Sequence, residues 1–211
     1  MSRAEFLARV RNAAAAGRAY HAQHAPPCDG RPGYQGAGPD PVAHLAAEVD
    51  KVGGQAMVVA SLDEARAALG KLIEHYRPRS ALCWRHELLD RLGLAEILRG
   101  SGIEQLDYDS LHSLDSAEQR AKMLAAEIGI TSATVAVAET GTLSMWSSPG
   151  SERLASLLPP VHVAIVERAQ IVPDLFDFFD QLVAVGSDRM PSNVTLITGP
   201  SKTGDLGLRL T

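Results

Sequence analysis

VHVAIV, residues Val161 to Val166, decides how this chain is read: five apolar residues surround one histidine, and most of them are β-branched. A run this short and this apolar suits a strand buried on both faces, as strands of a parallel sheet are. His162 sits inside that alternation and is expected to be a core histidine with its ring satisfied. Moving outward, comparable runs recur at Ala56–Ala60, Ser80–Trp84, Ala133–Ala138 and Val194–Thr198, with a weaker one near Ile103–Leu106. Thr142 to Trp146 returns as a partner of the Thr134–Ala138 strand.

Helical patterns fill the intervals. One is expected near Val42–Lys51. Ser61 with Glu64 caps a second, which carries Ala65, Ala68, Leu69 and Leu72. His86 to Leu98 reads as another helix, and Asp115 with Glu118 caps one that runs through Ala126, with Met123, Leu124 and Ile128 along one side. A short helix spans Glu152–Leu158. A last one spans Val172 to Val185, with Leu175, Phe176, Phe179 and Leu182 on its buried stripe. Strands alternating with amphipathic helices predict an α/β fold, a mostly parallel sheet with helices on both faces.

Ahead of this body, Ser2 and Glu5 form a capping-box pattern, so an N-terminal helical arm is expected over residues 1–19, helical from Arg3 to about Arg18. Residues 20–41 are dense in proline and glycine and predict an irregular linker. The α/β domain occupies residues 42–211.

Composition narrows the function classes. The 211 residues are 45% hydrophobic and 21% charged, enough for an ordinary core, and the formal charge is −5. A mildly acidic chain without a basic block argues against nucleic acid as a partner. No signal-peptide layout opens the sequence and no apolar run approaches the ~18 residues of a membrane span, so a cytoplasmic protein without a span is expected. The two cysteines, Cys28 and Cys83, form no Cys-x-x-Cys pair. Neither an iron–sulfur cluster nor a zinc framework of its own is expected. His21, His24, Cys28 and Asp29 are metal-binding residue types, but their spacing matches no zinc pattern, so no metal site is assigned.

In α/β sheets, ligands bind in loops beyond the carboxyl ends of strands. Two such loops carry chemistry here. Glu139-Thr140-Gly141-Thr142 follows the Thr134–Ala138 strand; its carboxylate is either a nucleophile, general base or ligand clamp, or a solvated hairpin residue. Gly199-Pro200-Ser201-Lys202-Thr203-Gly204-Asp205 follows the last strand. Its glycines admit a close approach, Ser201 and Thr203 offer hydroxyls and Lys202 a charge, yet it is neither a Walker A loop nor Gly-x-Gly-x-x-Gly. By composition alone it reads as a surface turn or as an anion loop. Arg153, at the start of a helix, is either a solvated first-turn residue or a fork for carboxylate or phosphate. Trp84 and Trp146 are core or pocket wall.

Taken in order, Ala138-Glu139-Thr140-Gly141-Thr142, Arg153 with Ser156-Leu157-Leu158-Pro159, His162 to Val166, and Gly199-Pro200-Ser201-Lys202-Thr203 resemble the LUD-domain lactate-utilisation family, of the LutC type. The resemblance runs from about residue 42 and is densest from Ile130 to Asp205. It implies a NagB/RpiA/CoA-transferase-like fold and a cytoplasmic part in oxidising L-lactate to pyruvate, as an accessory or ligand-binding subunit beside iron–sulfur partner proteins. It also implies a pocket in which Glu139, Thr140, Gly141, Thr142 and Arg153 face Gly199, Ser201, Lys202 and Thr203, around a small carboxylate or phosphate-bearing ligand. By analogy with CoA-transferases, which use a strand-end glutamate, Glu139 is the candidate catalytic residue of an alternative, enzymatic reading: a transferase or isomerase acting on an activated or phosphorylated metabolite. The sequence departs from the family where it has Thr203-Gly204-Asp205 in place of Thr-Ala-Asp. It departs again where relatives continue into a strand with Gly-x-His-Gly-Pro and this sequence has Leu206-Gly207-Leu208-Arg209-Leu210-Thr211, so that either the terminus is truncated or the last strand is replaced. A missing strand would leave a sheet edge open and the pocket incomplete.

Overall fold

The computed structural model describes residues 2–24 and 36–200. Two units are distinguished, Met1–Tyr34 and Gln35–Thr211. The first is the helix α1 (Arg3–His24). Its start is closed as the sequence predicts: the Glu5 N–H donates to the Ser2 hydroxyl at 3.2 Å, and the Ser2 N–H donates to the Glu5 carboxylate at 2.6 Å. The helix runs further than expected, through Tyr20 to His24, because proline first interrupts the sequence at Pro26.

The second unit opens with α2 (Pro41–Lys51), capped by the Asp40 carboxylate, and α3 (Leu62–Tyr76), capped by Ser61. Between them, Ala56–Ala60 forms no strand. Met57 and Val58 are 55% and 63% exposed, and the Ala56 and Ala60 amides donate to the Asp50 and Glu64 carboxylates rather than to a ladder. Apolar composition qualifies a run for a sheet, but only a neighbouring strand satisfies its backbone, and none pairs with it among the described residues.

A parallel sheet follows. It is built from β1 (Ser80–Cys83), β2 (Glu104–Leu106), β3 (Ile128–Ser132) and β6 (Val161–Ile165) in the order β2-β1-β3-β6. The expected helix over His86–Leu98 is two, α4 (Glu87–Leu92) and α5 (Leu94–Gly100), because Gly93 turns left-handed at φ +74° and ends the first. α6 (Tyr108–His112), a single turn closed by an Asp107–Ser110 capping box, precedes α7 (Ser116–Ala125), which Asp115 caps. Ile128, expected on the helix, instead opens β3, whose five residues are all buried.

A second sheet has the order β7-β4-β5-β8, with β4 (Val135–Val137), β5 (Thr142–Trp146), β7 (Ile171–Val172) and β8 (Val194–Ile197). β4 and β5 are antiparallel, as the return at Thr142 predicts, and so are β5 and β8, whereas β4 and β7 are parallel. The run expected as one strand, Ala133–Ala138, is therefore only the second half of a longer path: β3 and β4 belong to different sheets, and the chain crosses between them at Ala133-Thr134. The fold is α/β, a parallel sheet flanked by helices, with a mixed sheet beside it.

α8 (Leu154–Leu157) packs on β3 and β6, and α9 (Leu175–Val185) on β4 and β7. On α9 the buried aromatic is Phe178, while Phe176 and Phe179 are 56% and 50% exposed. Asp174 caps the helix, which starts three residues later than expected, and its inner stripe is Leu175, Phe178 and Leu182, spaced i, i+3, i+7, which turns Phe176 and Phe179 outward. A core around β1 and β3 holds Leu82, Trp84, Ile128 and Ile130, and a smaller cluster holds Val135, Val137, Val172 and Phe178.

Gly129 sets the distance between α8 and the sheet. A Cβ there would lie 1.8 Å from the Ala155 carbonyl oxygen, a backbone atom that cannot swing away. Gly129→Ala is therefore expected to cost several kcal/mol of stability, at or beyond the ~4 kcal/mol that marks exceptional substitutions, with the loss read as a fall in denaturant midpoint. His162, beside Gly129 in the β3–β6 pairing, shares a 2.8 Å hydrogen bond with the Thr131 hydroxyl, and burial lowers its pKa from the usual 6.5 to about 4. Between those two values the unfolded chain holds the extra proton, so stability is full above pH 6.5 and falls as the pH drops towards 4. From pH 7 to 5 the chain should lose up to about 2 kcal/mol through this group, and His162→Gln should flatten that slope in thermal melts.

Candidate functional site

The two loops singled out in the sequence meet. Beyond β4 the chain makes a single 3-10 turn, Ala138–Thr140, and Gly141 closes it at φ +66° before β5 begins. The Glu139 amide is fixed by the Pro173 carbonyl at 3.0 Å, which leaves the partly buried carboxylate without a hydrogen bond or ion pair among the described residues. A chain of hydroxyls then links the loops: Thr140 to Thr142 at 2.7 Å, and Thr142 to Thr198, at the end of β8, at 2.7 Å.

Both glycines of this junction press on α2. A Cβ on Gly141 would lie 2.7 Å from the Val49 nitrogen, and one on Gly199, at φ +74°, would lie 2.8 Å from the Val52 oxygen. The close approach that glycine permits here is thus to the end of α2. Thr140, Gly141, Thr142 and Gly199 are brought together; Ser201, Lys202 and Thr203 lie outside the described residues. Arg153 is exposed at the start of α8, on β3 and β6 of the parallel sheet, whereas Glu139 belongs to the second sheet. Of the metal-type residues, Cys28 and Asp29 and the side chains of His21 and His24 also lie outside the described residues.

A second location emerges only from the topology. From β1 the chain steps to β2 on one side and later to β3 on the other, so the order reverses between β1 and β3, and such a switch point opens a crevice beyond the strand ends. A cleft of about 420 Å³ lies there, lined among others by Trp84 and His86 after β1, Thr134 after β3, and Trp146 and Ser147 at the end of β5. Arg189, beyond α9, contributes a cation that is exposed and unpaired among the described residues. The loop from Ser147 to Ser151 is tied down by the Arg85 amide, which donates to the Gly150 carbonyl at 2.7 Å, and by a bridge between Ser148 and Ser151.

The polar groups of this cleft are unevenly satisfied. Both indole N–H groups are engaged, Trp84 with the Glu152 carbonyl at 2.9 Å and Trp146 with the Ser144 hydroxyl at 2.8 Å, so neither ring has a free donor. The His86 Nδ1 accepts the Leu88 amide at 3.2 Å, which assigns its proton to Nε2. The Ser147 hydroxyl oxygen is buried and has no partner among the described residues. Sequence reading passed over His86, Ser147 and Arg189 because no motif joins them; the paired tryptophans, read as core or pocket wall, were the available signal.

A smaller cavity of about 120 Å³ is lined by Cys83 and by Tyr108 and His112, whose rings stack, among others. Burial, with Asp107 nearby, pushes the Cys83 thiol up to about 12, which rules it out as a thiolate nucleophile near neutral pH.

Residues 42–211 match the family model of the LUD domain. The chain is 32% identical over 152 residues to Lactate utilization protein C of Halalkalibacterium halodurans, covering 71% of this chain and 64% of that one. With the protein C of Shouchella clausii it shares 30% identity over 145 residues, 68% of this chain and 61% of the relative. A shorter stretch, 92 residues at 40% identity, matches Lactate utilization protein B of Shouchella clausii, covering 41% of this chain and 19% of that one. The chain thus spans somewhat under two thirds of the length of these protein C relatives. Among solved structures, a DUF162 family protein from Deinococcus radiodurans aligns with 66% of this chain and 90% of its own at 19% identity, with a TM-score of 0.36. With the family model covering well over half of its length, the chain belongs to the LUD domain family.

Proposed function

We propose that this chain is a LutC-type component of L-lactate utilisation, the oxidation of L-lactate to pyruvate, and that it acts in the cytoplasm as an accessory or ligand-binding subunit beside iron–sulfur proteins. The observation that carries the reading is the similarity to Lactate utilization protein C across 71% of the chain. The match to Lactate utilization protein B supports a setting in which this domain type works within one system. Among the described residues no helix is long and apolar enough to cross a membrane, which is compatible with that setting.

The ligand in this reading is a small carboxylate or a phosphate-bearing molecule, held by Thr140, Thr142 and the loop that begins at Gly199, with Ser201, Lys202 and Thr203 completing it; Arg153, on α8 against the parallel sheet, would have to reach it from there. The hydroxyl chain from Thr140 through Thr142 to Thr198 supports it, since it couples the two loops mechanically. One observation favours an enzymatic alternative: Glu139 stands at a strand end with its backbone fixed and its carboxylate unpaired among the described residues. Such a group is placed to act as nucleophile or base on an activated or phosphorylated metabolite, as in a CoA-transferase or isomerase.

A thermal-shift series on the full chain separates these readings. A ligand at ~100 times its dissociation constant stabilises by ~2.7 kcal/mol, which is several degrees at ~2–4 °C per kcal/mol. Lactate, pyruvate or a phosphate-bearing compound should give that shift, and Lys202→Ala should remove it. Glu139→Gln should leave the shift in place under the accessory reading. Under the enzymatic one it should abolish label exchange between a CoA ester and its free acid. No shift with any of these compounds would overturn the ligand-binding reading.

A further inference from the structure

The cleft at the switch point is furnished for a particular kind of guest. Its lining residues include no aspartate or glutamate, one arginine, and a set of uncharged donors. Arg189 is unpaired among the described residues, the His86 Nε2–H points away from the backbone contact made by Nδ1, and the Ser147 hydroxyl is unsatisfied. A buried polar group without a partner carries a desolvation penalty in the free protein, and native structures rarely keep one without a reason. Thr134, Ser148, Ser151 and Gln170 add uncharged polar groups, and the apolar part of the wall comes from the two tryptophans with Ala133, Val185 and Pro191.

We propose that this cleft binds a small organic carboxylate, with Arg189 and His86 taking its charge, Ser147 turning about χ1 to donate to it, and Trp146 packing on its carbon body. One arginine matches one negative charge and pairs with a carboxylate through two parallel hydrogen bonds. A phosphate dianion calls for more cations or a nest of backbone amides than this lining offers. The site is separate from the Glu139 loop. Only the choice of a 2-hydroxy acid among the probes rests on the proposed role in lactate utilisation.

Both tryptophans of the chain line the cleft, so intrinsic fluorescence reports on it directly. The experiment titrates the full chain with L-lactate, pyruvate, 3-phenyllactate, benzoate and inorganic phosphate, alone and as Arg189→Ala and Ser147→Ala. At least one carboxylate should change the emission saturably, phosphate should not, and each substitution should weaken binding tenfold or more. Ser147→Ala should also raise the Tm of the unliganded chain, because it deletes the unsatisfied hydroxyl; a gain in stability together with a loss of affinity is the signature of a group kept for a ligand. Arg189 is exposed, so its removal tests the site without threatening the fold.

Carboxylates that leave the emission unchanged would overturn the proposal, as would affinities indifferent to both substitutions, or phosphate binding as well as the acids. If lactate raises the Tm while neither substitution matters, the cleft assignment fails and the lactate role stands. If 3-phenyllactate binds through Arg189 and lactate does not, the cleft stands and the lactate role loses support.

Discussion

The parallel pairing of β1 with β3 is the contact from which the rest of the structure follows. Ala81, Leu82 and Cys83 align with Ile128, Gly129 and Ile130, all of them buried, so the two strands lie at the centre of the sheet and of its core. That register fixes where both strands end, and their ends present Trp84 and His86 on one side and Ala133 and Thr134 on the other. It also leaves Gly129 facing α8 at a distance no other residue permits, which holds the helix that carries Arg153 against the sheet.

Because β3 continues into β4 after only two residues, the parallel sheet and the mixed sheet are mechanically one piece at this point. Gln170 reinforces the crossing: its side-chain amide donates to the Ser132 hydroxyl at 3.0 Å and to the Ala133 carbonyl. The cleft lies against this crossing, and the Glu139 loop lies at the opposite end of β4. Two prospective binding regions therefore share one short strand, with different chemistry at each end: an unpaired carboxylate and threonine hydroxyls at one, and an arginine with uncharged donors at the other.

Much of the fold was legible from pattern alone. The caps at Ser2, Ser61 and Asp115, the strands at Ser80 and Val161 and the antiparallel return at Thr142 each rest on local chemistry, a side-chain oxygen near free amides or a β-branched run between turns. Where reading failed, the missing information was not local. Ala56–Ala60 has strand composition without a strand to pair with. Ile128 looked like the end of a helix because Gly129 and Ser132 dilute the apolar run of β3. Phe176 and Phe179 looked like core because two apolar stripes share Leu175 and Leu182, and only packing against the second sheet picks the one through Phe178.

The sequence by itself determined the class of the fold and the family, because an ordered set of short motifs survives without knowledge of their neighbours. It also singled out Gly141 and Gly199. The tertiary structure alone showed what their missing side chains make room for, the end of α2. It alone decided that the chain builds two sheets, and that His86, Trp146, Ser147 and Arg189, spread over more than a hundred residues, line one cleft. Strand order is a property of pairing across the chain, and no periodicity within a segment records it.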